Sequence, residues 1–386
     1  MPGSSARSIL CAACSTFLFL ASGATAALAQ APPAAPKPWW ERIALSGDLR
    51  ARFEGFFRDG RGERYRQRYR LRLALSAPVH DDVTVGFRLA SGDPTDIAST
   101  NQTLTGLLSR KPITIDQVYV RYRPAALRVL TLGYGKFGYP VTTTQMVWDD
   151  DVNWEGAYQQ VAWTRGAGSF TLVAAQAPLV ERPRGADAYL LVWYGQAGVQ
   201  IGAHRVQGSA ANYRFLRPDL LAVAVDTEGL SNPITNRVTR GPDGRVAGYQ
   251  SGYNLVDVIV RAVLATRRPD YPVTLVGDWV TNTRAVAGRG GGLWLSAAYG
   301  LAARPRRYAV GYTYARIEQD AVLSTFNFSD MFPHTNVRAH IASASIMPLA
   351  RVNLDVTGIV TRPIEPVPGL SDERLTRLQV DMRFAF

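Results

Sequence analysis

The chain has 386 residues, with 43 Lys and Arg against 31 Asp and Glu (net charge +12), 34 Gly, 17 Tyr, 14 Phe, 8 Trp, 2 Cys and 47% hydrophobic residues. This composition excludes a disordered chain, a collagen and a disulfide scaffold, and the lack of any run of about 18 apolar residues beyond the N-terminus excludes a helical membrane protein. A soluble all-β protein and a transmembrane β-barrel stay open, because a barrel strand turns every second residue to the lumen and dilutes its lipid-facing signal.

Arg7 is the sole charge before an apolar, small-residue-rich run from Ile9 to Ala29 that ends Ala27-Leu28-Ala29. The pattern predicts a cleaved signal peptide over 1–29; the Ser, Gly, Ala and Thr content and the A-x-A ending argue against an uncleaved anchor helix. Cys11 and Cys14 both fall inside it, so the exported chain carries no thiol through an oxidising compartment. A short Pro/Ala linker over 30–42 then leads to a single domain over 43–386.

From Ile43 the dominant period is two. Arg64, Arg66, Arg68, Arg70 and Arg72 interleave with Tyr65, Gln67, Tyr69, Leu71 and Leu73. On a helix the arginines would spread around the cylinder; on a strand they share one face. The segment before it places Asp48, Arg50, Arg52 and Glu54 opposite Leu49, Ala51 and Phe53, so two adjacent strands present charge to one compartment. The same count predicts strands near 43–57, 63–77, 83–92, 113–123, 128–137, 155–165, 169–177, 188–197, 199–214, 253–266, 271–281, 292–302, 306–318, 336–347, 351–361 and 374–386, about sixteen in all.

The connections alternate in length. Short turns are expected at Pro78 to Asp82, Pro124 to Leu127, Gly166 to Gly168, Gln196 to Gly198, Arg267 to Asp270, Arg304 to Arg306 and Pro348 to Arg351, and longer loops near 58–62, 93–112, 138–154, 178–187, 215–252, 282–291, 319–335 and 362–373. Outer-membrane barrels have short periplasmic turns and long extracellular loops; a soluble sandwich has no reason to sort loop length by end. The predicted fold is therefore an all-β transmembrane antiparallel barrel. Leu378, Val380, Met382, Phe384 and Phe386 alternate with polar residues on the last strand, and Phe386 is the expected signal for outer-membrane assembly.

In order along the chain stand Arg88-Leu-Ala-Ser-Gly-Asp93, Asn101-Gln-Thr-Leu104, Ile115-Asp-Gln-Val-Tyr119, Gly133-Tyr-Gly-Lys-Phe137, Trp148-Asp-Asp-Asp151 with Asn153, Glu155-Gly156, Gly277-Asp278 with Asn282, and Ser329-Asp330 with Thr335-Asn336. This ordered set resembles the putative porins of Gram-negative bacteria. The resemblance implies an outer-membrane barrel that passes small hydrophilic solutes and assembles as a homotrimer, with outer-membrane lipid, lipopolysaccharide and the barrel-assembly machinery as partners. It names no solute, and the surplus of Arg over acid departs from a cation-preferring porin.

A pore selects by the width and field of its constriction. The pore-lining candidates are Arg50, Arg52, Arg64, Arg66, Arg68, Arg70 and Arg72: facing lipid, each would cost about 2–4 kcal/mol near the midplane, so they are expected in a wet lumen, Arg66 and Arg68 included. They either select for anions or merely solvate the wall, paired with Asp48, Glu54 and Glu63. Opposing charge is expected from Asp149, Asp150 and Asp151 if the 138–154 loop folds inward; the weaker candidates are Asp93, Asp96 and Asn101, and the 215–252 loop is long enough to cap the mouth. His80, His204, His334 and His340 lack ligand spacing, so neither a metal site nor a cofactor is expected. No catalytic residue is assigned and no nucleic-acid partner is expected. The sequence predicts a passive, anion-leaning pore; the alternatives are a channel specific for carboxylate or phosphate solutes, a hydrolase on a similar barrel, and a plugged structural barrel.

Overall fold

The computed structural model describes residues 38–230, 233–366 and 373–386. The expected signal peptide and the first part of the expected linker lie outside these residues; Trp39–Arg42 forms one 3-10 turn. Sixteen long strands follow: β1 (Ala44–Arg58), β2 (Arg64–His80), β3 (Val83–Ser91), β4 (Ile113–Tyr122), β5 (Leu130–Phe137), β6 (Trp154–Arg165), β7 (Gly168–Val180), β8 (Ala188–Ile201), β9 (His204–Leu216), β10 (Asn254–Leu264), β11 (Val273–Asn282), β12 (Gly291–Gly300), β13 (Arg307–Ile317), β14 (Val337–Leu349), β15 (Val352–Pro363) and β16 (Leu375–Ala385). Each pairs antiparallel with the next, and β16 returns to β1 in the register Asp48 opposite Ala385 through Arg58 opposite Leu375. The sheet is thereby a closed sixteen-stranded barrel without a free edge. At the seam Gly47 and Phe386 exchange backbone hydrogen bonds of 2.9 and 3.1 Å, and the Phe386 ring lies where a Cβ on Gly47 would stand, 2.4 Å away, so this position needs glycine.

The pattern of exposure is inverted relative to a soluble protein. On β16 the apolar Leu378, Val380 and Met382 are exposed, while Arg377, Gln379 and Asp381 between them are buried. A barrel with hydrocarbon outside and a polar interior requires this alternation.

Three turns differ from expectation, one of them because Pro348, expected to open the last short turn, lies inside β14 at the register shift before Leu349. The strand predicted to stop at Gln196–Gly198 continues to Ile201, and the chain reverses at Gly202-Ala203; Gly202 has φ +58° and so supplies the positive first position of a two-residue hairpin, as Gly166 (φ +58°) does between β6 and β7. Pro78, expected to open a turn, lies inside β2 at a register shift between Pro78 and His80, where a missing N–H is tolerated.

Three long connections at the loop end, 92–112, 138–153 and 318–336, fold into the lumen. Their apolar side chains, among them Ala98, Met146, Trp148, Val322, Leu323 and Met331, join inward residues of β6 to β15 in one buried cluster. The 217–253 connection is more than a loop. It holds α1 (Pro218–Glu228), with Pro at its first turn and Gly229 at φ +63° as its C-cap, and a small hairpin pairing Val238–Arg240 with Val246–Tyr249. Asp219 and Asp226 of α1 accept from the N–H groups of Tyr249 (2.8 Å) and Val246 (3.1 Å), locking helix to hairpin.

Candidate functional site

Pairing of β1 with β2 sets Asp48 opposite Arg72, Arg50 opposite Arg70, Arg52 opposite Arg68 and Glu54 opposite Arg66 on one face. That face is the lumen: Arg50, Arg52, Arg68 and Arg70 are all buried, and Glu54 has no exposed surface. Arginines directly opposite one another repel, so the ladder demands acceptors, and much of the lumen's construction supplies them.

Glu54 takes Arg66 Nη2 at 2.6 Å, Arg377 Nη2 at 2.6 Å and Arg52 Nη1 at 3.4 Å. Asp381 of β16 accepts from Arg52 Nε (2.6 Å) and Nη2 (2.7 Å), a bidentate pair. Asp48 holds Arg70 at 2.9 Å and Arg72 at 2.7 Å. Each inward loop then delivers one more acceptor. From 92–112, Asn101 accepts from Arg50 Nη2 through Oδ1 (2.5 Å) and from Arg68 Nη2 through its carbonyl (3.0 Å). From 138–153, Asp151 lies 3.6 Å from Arg70 and 3.5 Å from Arg72. From 318–336, Asp330 accepts from Arg52 Nη1 (3.0 Å), Arg377 Nη2 (2.7 Å) and Gln379 Nε2 (2.9 Å). Burial would push the Asp330 carboxyl up, but Arg377 and Arg52 beside it prevail and hold it well below the usual carboxylate range.

The expected site residues thus separate. Arg52 and Arg68 are buried in ion pairs and hydrogen bonds, so the expectation that Arg68 points to open water gives way to Glu54 and Asn101 as its partners, whereas Arg66, held by Glu54, stays partly exposed. Arg64 is exposed, its guanidinium carbon 5.7 Å from the Phe56 ring, apart from the network. Arg50, Arg70 and Arg72 border open space. Of the three loop carboxylates only Asp151 meets the arginines. Asp150 accepts from Gln145 Nε2 at 2.6 Å, with burial raising its pKa. Asp149 turns into the core, accepting from the Ser329 N–H at 2.7 Å and the Asp151 N–H at 3.0 Å; burial, reinforced by the Asp151 charge, raises its pKa well above the ordinary value.

Asp149 thereby ties two inward loops together, and aromatic packing completes the tie. Trp148, almost fully buried, lies 5.3 Å from Phe326, 5.3 Å from Trp154 and 5.7 Å from Tyr213, centroid to centroid. Thr144 donates to Asp278 of β11. From the 217–253 connection, Asn236 donates to the carbonyls of Gln319 (2.8 Å) and Val322 (2.7 Å).

Beside the ladder lies an open space of about 430 Å³. Arg50, Arg70 and Arg72 form one wall with Asp150 and Asp151; Ser343, Ser345, Asp355 and Thr357 of β14 and β15 face them, with Asp381 and Arg383 between. Arg383 is bound to Asp355 at 2.5 Å.

Residues 57–215 match the protein family described as Putative porin. Over that stretch the chain is similar to the putative porins. Its barrel is similar to that of OprB from Pseudomonas putida in a high-pH structure (10% identity, 89% of this chain and 94% of that chain, TM-score 0.58). It is also similar to a loop-L8 deletion mutant of OmpT, an outer membrane protein of Vibrio cholerae (9%, 89% and 99%, 0.51), and to the outer membrane channel DcaP of Acinetobacter baumannii (13%, 89% and 97%, 0.50). At these identities the likeness is one of fold. No curated protein matches the sequence. The fold is that of these outer-membrane barrels.

Asp48, Glu54, Asp151 and Asn101 were among the partners the sequence offered for the ladder; Arg377, Asp381 and Asp330 were not, because they sit in the last sixty or so positions of the chain, and Asp330 lies 278 residues from Arg52. One signal was available. Asp330, like Asn101, stands in a segment of the porin resemblance, within a stretch otherwise read only as a long loop.

Proposed function

We propose that this barrel, residues 43–386, is a narrow passive channel for small hydrophilic solutes with a preference for anions. The observation that carries the reading is the state of Arg50. Its nearest acceptor is the neutral amide of Asn101, and its nearest carboxylate, Asp381, stands 4.0 Å away and is already held by Arg52. Of the four carboxylates that line the passage, Asp151, Asp355 and Asp381 are each committed to arginines, and Asp150 accepts from Gln145. A passing anion therefore finds a cation whose demand is not met by the protein, in a constriction whose low-dielectric walls concentrate the field.

The inward loops fill so much of the lumen that a substrate-specific channel for carboxylate or phosphate solutes is the second reading. Hydroxyls of Ser343, Ser345 and Thr357 opposite Arg50, Arg70 and Arg72 suit such a solute. Assembly as a homotrimer and the use of Phe386 as an assembly signal belong to the same proposal. Proteoliposome swelling tests it. Swelling in small carboxylates faster than in uncharged sugars of equal size supports the anion preference; a rate that saturates with one solute favours the specific channel, and equal rates for charged and uncharged solutes overturn both.

A further inference from the structure

We propose that the outer wall of the barrel carries a binding site for the phosphate groups of the lipid around it, built by an arginine row on four adjacent strands. The inference rests on the outer-membrane placement above. On β13, β14 and β15 the residues Ala315, Ile317, Val337, Ala339, Ile359 and Thr361 are buried toward the lumen, so Arg316, Arg338 and Arg362, at the intervening positions, point outward. Strand register sets Arg316 opposite Arg338 and Arg338 opposite Arg362; Thr361 opposite Leu375 then brings Arg374, at the start of β16, beside Arg362. With strands about 4.8 Å apart, the four guanidinium stems span roughly 15 Å across the wall.

Two of the four are satisfied within the chain: Arg316 by Glu318 at 2.8 Å and Arg374 by Asp59 at 3.6 Å. Arg338 and Arg362 are exposed, face each other across the ladder, and have no ion pair or side-chain hydrogen bond among the described residues. Like charges in direct register destabilise a sheet, and nothing described in the chain relieves this pair. Together with His340, Val360, Pro363 and Arg374 they border a concavity of about 560 Å³ on the wall.

The position of the row selects the ligand. Toward the turn end the same outward face becomes apolar and aromatic, with Tyr312, Val310, Val356, Leu378 and Val380 exposed, which is the lipid-facing band. Arginine at the midplane of that band costs about 2–4 kcal/mol and at its border close to nothing, so the row lies at the height of the headgroups on the loop side. Guanidinium groups there bind phosphate bidentately, where an ammonium would act only as a point charge. A second copy of this chain is a poorer occupant. Among the described residues Glu155 is the one strand acid with an exposed side chain, and Lys136 already holds it, so the described barrel wall offers no acidic strip to meet four arginines. The phosphorylated glycolipid of the outer leaflet does.

The test uses the purified full-length barrel in detergent and three probes: diphosphorylated lipid A, the same lipid enzymatically dephosphorylated, and inorganic phosphate. Bound lipid is counted by native mass spectrometry and affinity read from the rise in unfolding temperature. The expected result is one tightly held diphosphorylated lipid per barrel, weak binding of the dephosphorylated form, and a loss of affinity of about tenfold or more in Arg338→Gln/Arg362→Gln, the scale of a single charge-assisted contact. Both side chains are exposed, so the variant should keep wild-type conductance; Arg338→Lys/Arg362→Lys should recover only part of the affinity. Equal lipid binding by wild type and the Gln variant overturns the site, as does full competition by inorganic phosphate, which marks a small-anion site. A variant that loses self-association while binding lipid normally overturns it in favour of a contact between copies. Cell fractionation separates this from the reading beneath it: wild type absent from the outer membrane refutes the placement, whereas wild type present there with variant-insensitive lipid binding refutes only the lipid site.

Discussion

Replacing Asp330 by Ala removes the carboxylate that holds the 318–336 connection to the arginine ladder. Arg52 (3.0 Å), Arg377 (2.7 Å) and Gln379 (2.9 Å) each lose an acceptor; the donation of Arg377 Nη1 to the Asp330 carbonyl at 2.8 Å stays. Deleting one partner of a buried ion pair costs about 3–5 kcal/mol, because the other charge is left buried. Here Glu54 and Asp381 remain beside the two arginines, which places the loss near the low end, about 3 kcal/mol. At 1.4 kcal/mol per factor of ten, the detached state of the loop becomes roughly a hundredfold more populated. Hydrogen exchange across 318–336 should then accelerate by about that factor, and single-channel records should show larger, flickering conductance, while the barrel strands keep their protection. Unchanged exchange in 318–336 together with unchanged conductance would refute the claim that the ladder anchors the inward loops.

Acid should loosen the same connection. Burial pushes His334 down to about 4, below its ordinary value near 6.5, so the folded loop binds fewer protons than the detached one between those two pH values, and stability falls as pH drops through that window, by about 3 kcal/mol at its foot. Asp330, held below the carboxylate range, gives up its contribution only at lower pH. His334→Gln should flatten the dependence between pH 6.5 and 4 in exchange measurements, and an identical slope in that variant would contradict it. Trp148→Ala should destabilise the inward loops by about 3–5 kcal/mol and widen the passage; wild-type conductance and thermal stability in that variant would show the aromatic cluster to be dispensable. Phe386→Ser, which strips the ring from Gly47 at the seam, should lower outer-membrane levels while export continues, and normal levels would count against an assembly role.

Much of the barrel was readable because lipid and lumen impose opposite demands on neighbouring residues, so the period of two survives in a plain sequence. The inward face of Arg50 to Arg72 followed from that period alone. The turn after β8 was misplaced because Gly198 lies within a strand while the equivalent pair Gly202-Ala203 makes the hairpin. The helix α1 escaped although Pro218 and Gly229 bracket it, since three turns inside a long connection give a weak periodic signal. The inward loops were hardest. Trp148 to Trp154 reads as three carboxylates that would all oppose the arginines if the loop folds inward, yet Asp151 alone does so, Asp149 is buried and Trp148 sits in the core; the lumen of a barrel is an interior built from polar sequence, and the pairing of Arg52 with Asp330 and Asp381 is set by closure of the sheet, which no local pattern encodes.

The central claim is that Arg50, Arg70 and Arg72 border a conducting passage and favour anions in it. Its most direct test is the reversal potential of the purified barrel in a planar bilayer under a KCl gradient, for wild type and for Arg50→Gln/Arg70→Gln/Arg72→Gln. The account predicts steady conductance steps with chloride favoured in the wild type and a shift toward potassium in the variant; conductance with the same reversal potential in both, or none from a well-folded barrel, would contradict it.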